Sequence, residues 1–111
     1  MSNRNIDVDE QWKLLIGGEW VRTDETYDII DPNSTELVGR APEATVGHAQ
    51  AAARAAKEAL PGWKETPMAE RCKLLAVAAE RLAEVAPNWV DLVQAETGST
   101  INVAETMQMS G

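Results

Sequence analysis

The stretch Ala41-Pro42-Glu43-Ala44-Thr45-Val46-Gly47-His48-Ala49 marks a change of rhythm in the chain. From Thr45 onward, Val46, Ala49, Ala53, Ala56 and Leu60 recur at spacings of 3, 4, 3 and 4. That spacing puts one apolar stripe on a helix. Thr45 is placed to cap it, and Pro61-Gly62 predicts its end. Before Thr45 the pattern is that of strands and turns. Trp12, Leu14 and Ile16 alternate along one run, and Glu19-Trp20-Val21 follows Gly17-Gly18. Two glycines able to take positive φ between two short apolar runs predict a β-hairpin. Tyr27 to Ile30 reads as a further strand, stopped by the turn cluster Asp31-Pro32-Asn33-Ser34. Glu36 to Arg40 reads as one more, ended by Pro42.

Downstream, Thr66 and Pro67 predict the start of a second helix. Met68, Cys72, Leu75, Ala79, Leu82 and Ala86 recur along it at spacings of 4, 3, 4, 3 and 4. Pro87 is expected to break it and start a third, with Trp89, Leu92 and Val93 on its apolar side. Glu96-Thr97-Gly98-Ser99 reads as a stop, and Thr100 to Met109 as a short fourth helix. The expected class is α/β: an N-terminal β-hairpin and short strands, then three to four α-helices. Residues 1–11 lack periodicity and read as a flexible arm, leaving 12–111 as the folded part. The alanine-rich faces would let neighbouring structure approach closely, and a two-stranded hairpin is marginal alone in water. The chain therefore reads as a fragment of something larger.

The 111 residues allow one modest domain at most. A net charge of −8 disfavours nucleic acid and anionic membranes as partners. No apolar run approaches the roughly 20 residues of a spanning helix. The N-terminus has no apolar signal-peptide core, and the lone Cys72 permits no intrachain disulfide. A cytoplasmic protein is expected.

No self-sufficient catalytic set emerges. Cys72 is the only thiol and lies on an apolar stripe, where a free cysteine behaves as a small buried hydrophobe. His48, the only histidine, falls in a first helical turn and reads as a solvent-facing structural residue. One Cys and one His give no transition-metal cluster. Glu80 and Glu84 share a helix face and read as solvated rather than as a catalytic dyad. Gly98-Ser99-Thr100 has part of the look of a phosphate loop, but it follows a helix rather than a strand. A helix C-terminus with Gly98 just past its end accounts for the same residues.

Taken in order, these features resemble the aldehyde dehydrogenase superfamily. Leu14 to Val21 is similar to its opening I-(N/G)-G-E-W-V hairpin, and Ile29 to Thr35 to its V-N-P-(A/S)-T-G-E turn. Arg40 to Thr45 with the following alanine helix resembles V-P-x-A-(T/S). Trp63 with Pro67 to Arg71 resembles W…P-x-x-E-R, and Glu96 to Ser99 resembles E-T-G-K. Asp31, Leu37 and Ser99 depart from the common pattern. The resemblance runs from about Trp12 to Thr100.

It implies an oxidoreductase that converts an aldehyde to a carboxylate with NAD or NADP. In that family a cysteine thiolate attacks the aldehyde and an asparagine holds the oxyanion. Hydride passes to nicotinamide, and a glutamate activates water. The P-W-N, G-S-x-x-x-G, L-G-G-K and G-Q-x-C segments that carry this chemistry have no counterpart here, so Cys72 inherits no nucleophilic role. By resemblance the chain is the leading part of the cofactor domain, without its parallel sheet, from a homo-oligomeric parent. No catalytic or cofactor-binding residue carries over. One partial site does: a monovalent cation held by the backbone carbonyls of Ile29 and Ile30 and by Glu96, with a further ligand outside this chain.

Overall fold

The computed structural model describes residues 4–108. Strands β1 (Leu14–Ile16) and β2 (Glu19–Val21) form the first hairpin. They pair antiparallel with Leu15 opposite Trp20. Gly17 and Gly18 have φ of 60° and 82°. Two positive φ values in a two-residue loop match the right-handed twist of the flanking strands. The turn rests on the first helix: a Cβ at Gly17 would sit 3.6 Å from Ala55.

Strands β3 (Thr26–Ile30) and β4 (Leu37–Pro42) form a second, separate antiparallel pair. Asp28 faces Arg40 across it, and their side chains form an exposed ion pair at 3.4 Å. The register shifts between Ile29 and Ile30, so that Ile30 opposes Leu37. Strand β4 runs through Pro42 instead of stopping at Arg40. Proline is tolerated there because the donor it lacks falls at the end of the ladder.

Helix α1 spans Val46–Glu65 and is capped by Thr45, as its sequence predicts. The Thr45 hydroxyl accepts from the His48 N–H, and the Thr45 N–H donates to His48 Nδ1 at 3.1 Å. This is a capping box with histidine in the place usually taken by Glu or Gln. Pro61-Gly62 does not end the helix, which continues to Glu65. Proline near a C-terminus removes a single intrahelical bond. The last turn is closed by Thr66, whose N–H and hydroxyl both donate to the Gly62 carbonyl. Thr66 is therefore the C-cap of α1, not the N-cap of the next helix.

Helix α2 is one continuous element, Met68–Thr97, with Pro67 at its N-cap and Pro87 inside it. The expected break into two helices does not occur. Proline's fixed φ is already helical, and the missing bond is borne by regular turns on both sides. The helix stops at Gly98, with φ 71° and its N–H donating to the Gln94 carbonyl. Thr100 then caps a short α3 (Ile101–Val103) that runs on as a π-helical turn, Ala104–Gln108. The tail of the expected fourth helix, Met109, lies outside the described residues.

The core is small. Among the described residues its buried apolar side chains are Val38, Ala86, Ala95 and Ala104. The predicted stripes of α1 and of the first part of α2 stay in solvent. Val46, Leu60, Met68, Leu75 and Leu82 are all exposed, Leu75 to 63%. A different row of α1, His48, Ala51 and Ala55, is half-buried, and Ala55 of it lies at the hairpin turn. The C-terminal end of α2, through Leu92, Ala95 and Glu96, lies against the β3–β4 pair. The molecule measures 51 × 33 × 17 Å.

Candidate functional site

The end of β3, opposite the extra residue Val38 of β4, and the C-terminal end of α2 meet. Ile29 and Glu96 line one mostly apolar cavity of about 250 Å³, together with Trp12, Val38, Gly39 and Leu92. Lys13 and Arg40 stand at the same cavity. Ile30 follows at the register shift and is exposed, off that wall. Among the described residues no group of three or more His, Cys, Asp or Glu side chains converges on a common point. Any cation here would depend on main-chain oxygens and one carboxylate.

Directly after β3 lies Asp31, the one buried charged side chain among the described residues, with 4% exposure. Its Oδ1 accepts from the N–H groups of Asn33 (2.7 Å) and Ser34 (3.3 Å). Its Oδ2 accepts from Arg4 Nη1 at 2.7 Å. The carboxyl is held below its ordinary range, foremost by the Asn33 N–H; burial works the other way, and Arg4 and Ser34 add to the lowering. Sequence reasoning registered the turn cluster at Asp31 but missed this pair. The Asp-Pro-Asn-Ser spelling signals the turn, whereas nothing local signals a partner 27 residues upstream.

Gly98 closes against the same turn. A Cβ at Gly98 would lie 2.7 Å from Pro32 Cγ and 3.1 Å from Asn33 Nδ2. Asn33 Nδ2 also donates to the Gly98 carbonyl at 3.4 Å. The Gly98-Ser99-Thr100 segment is therefore a helix C-terminus packed on a turn, the arrangement expected from its sequence. A dinucleotide needs N–H groups opening from a strand-to-helix turn, and this backbone does not provide them.

The remaining candidates lie apart. Cys72 is exposed, not buried as its stripe suggested. His48 is half-buried and engaged in the α1 cap. Glu80 and Glu84 are solvated, and Glu84 pairs with Arg81 at 3.3 Å. Arg71 lies 6.0 Å from the Trp63 ring centre across the α1–α2 junction. No helix among the described residues is long and apolar enough to cross a membrane.

Comparison with known proteins adds to this geometry. The human mitochondrial methylmalonate-semialdehyde/malonate-semialdehyde dehydrogenase [acylating] is 34% identical over 95 residues, 84% of this chain and 18% of that protein. Vanillin dehydrogenase of Corynebacterium glutamicum is 37% identical over 90 residues, 79% of this chain and 19% of that protein. Among solved structures, an NAD-dependent benzaldehyde dehydrogenase from C. glutamicum superposes with a TM-score of 0.75 at 35% identity, covering 90% of this chain and 22% of that one. PnpE in complex with nicotinamide adenine dinucleotide superposes with a TM-score of 0.79 at 29% identity, covering 91% and 21%. The chain thus spans about a fifth of the length of the relatives it matches. The profile of the aldehyde dehydrogenase family matches residues 20–111, and the chain belongs to that family.

Proposed function

We propose that this chain is the N-terminal portion of an NAD(P)-dependent aldehyde dehydrogenase that oxidises an aldehyde to a carboxylate, and that alone it is catalytically inert. The observation that carries this reading is the surface the fold leaves open. The accessible area is 8642 Å². A compact monomer of this mass would expose roughly 6,000 Å². The radius of gyration is 17.0 Å, against about 13 Å for a self-contained domain of this length. The excess lies along the apolar faces of α1 and α2, the surfaces that would cover a doubly wound sheet. The NAD named for two structural neighbours supports NAD as cofactor of the whole enzyme. A homo-oligomeric parent belongs to the same reading.

The purified chain, given NAD and a panel of aldehydes, produces no NADH; turnover that survives stringent purification overturns the proposal. The open apolar faces also favour a second reading, a stand-alone interaction or dimerisation module. Light scattering separates the two. A stable dimer or larger assembly of defined mass supports the module, and a monomer supports the enzyme segment.

Within the enzyme reading, the carbonyls of Ile29 and Ile30 and the carboxylate of Glu96 supply part of a monovalent-cation site. Support comes from Ile29 and Glu96 lining one cavity, beside the register shift at Val38 of β4. Sodium-23 line broadening by the chain, removed by Glu96→Gln, is the expected result.

A further inference from the structure

Residues 4–12 form no strand or helix, yet they touch two elements far apart in sequence. Arg4 donates to the buried Asp31 at the head of the β3–β4 turn. The next residue, Asn5, donates its N–H to Asp91 Oδ2 on α2 at 3.1 Å. Burial then alternates: Arg4, Ile6 and Val8 are half-buried, while Asn5, Asp7 and Asp9 are exposed. The backbone itself turns, with the Ile6 N–H donating to the Arg4 carbonyl at 3.0 Å and the Glu10 N–H to the Asp7 carbonyl at 3.3 Å, and Arg4, Ile6 and Val8 lie on its inner side. That side meets Asp31, Leu37, Val38 and Ala95 around a common cavity. Val38 and Ala95 are the buried residues that β4 and the end of α2 contribute to the core. Further on, the Val8 carbonyl and Trp12 Nε1 each approach within 3.9 Å of the position a Cβ would take at Gly39, so the segment crosses β4 at its glycine. Ile6 and Trp12 also line a cavity against Trp89 and Leu92 of α2.

We infer that residues 4–12 are a strap that clamps the β3–β4 hairpin onto the C-terminal half of α2, with the Arg4–Asp31 ion pair as its latch. The strap covers the junction where the hairpin and the helix bury their shared residues. Side-chain exposure at the latch is 23% for Arg4 and 6% for Asp31, so solvent screens it little. The inference stands independently of the enzyme reading, because it uses only contacts inside this chain.

Hydrogen exchange on the full 111-residue chain tests it. Arg4→Gln removes the latch charge and leaves the Asx turn at Asp31 intact. Exchange at the amides of residues 5–12 and of Leu37 and Val38 should rise about ten-fold, a typical consequence of losing a hydrogen bond to a charged group. Amides of α1 should not change, and Arg4→Lys should restore most of the protection. Val8→Ser, which removes packing instead of charge, should give the same regional pattern. Unchanged exchange in Arg4→Gln overturns the inference. So does equal acceleration in α1, or an unsubstituted strap that already exchanges at free-peptide rates.

Discussion

The two oxygens of Asp31 serve different partners: Oδ1 organises its own turn, and Oδ2 receives Arg4. Both roles require the carboxylate, and its pKa lies below the ordinary 3.8. For a depressed carboxyl, the stability contributed is present above the unfolded value and is lost as pH falls through the folded one. The Asn33 and Ser34 amide shifts should therefore titrate with a midpoint under 3.8. A midpoint at or above that value contradicts the assignment. Asparagine here keeps one carbonyl oxygen for the turn but sets an NH₂ donor against Arg4, so Asp31→Asn should spare the turn and release the pair. Gly98 is constrained twice, by its φ of 71° and by Pro32 Cγ at 2.7 Å from a Cβ. Left-handed backbone alone costs a non-glycine residue about 1–2 kcal/mol. Gly98→Ala should lower the urea stability by about 2 kcal/mol or more, with the packing clash adding to the backbone cost.

At the scale of elements, the helices show where local signals suffice and where they mislead. The N-terminus of α1 and the C-terminus of α2 fall where Thr45 and Gly98 predict, because a cap acts through atoms a few residues away. Thr45→Ala should cost about 1 kcal/mol, while His48→Gln should cost little, since glutamine can occupy the same position in the box. Pro61 and Pro87 mislead because proline costs one hydrogen bond without fixing a stop. In a peptide covering residues 68–97, Pro87→Ala should raise the helical circular dichroism signal at every temperature. No gain would mean that the proline is already accommodated at no cost. The strand pairs were legible for the same local reason: Gly17-Gly18 sets one turn, and Asp31 to Ser34 sets the other.

The whole molecule is where pattern and packing part company. The stripe Met68, Cys72, Leu75, Ala79 and Leu82 is amphipathic in sequence, yet it is exposed throughout in this chain. Leu75→Ala should then change the stability of the isolated chain by less than about 0.5 kcal/mol, where a buried leucine would cost roughly 2–5 kcal/mol. A large loss measured by urea titration would show that the stripe is covered after all.

By itself the sequence determined the order of elements, the two turns, the cap of α1, the stop at Gly98 and the resemblance to the family. Each depends on residues within a few positions of one another, or on their order along the chain. Tertiary structure alone decided that α2 is one helix, that Cys72 is exposed, and that α1 meets the hairpin turn through Ala55 instead of its apolar stripe. It also decided that Arg4 reaches Asp31. An apolar period states that a face wants cover, but only the fold settles which neighbour, if any, supplies it. A buried charge likewise selects its partner by distance in space, which local sequence does not encode.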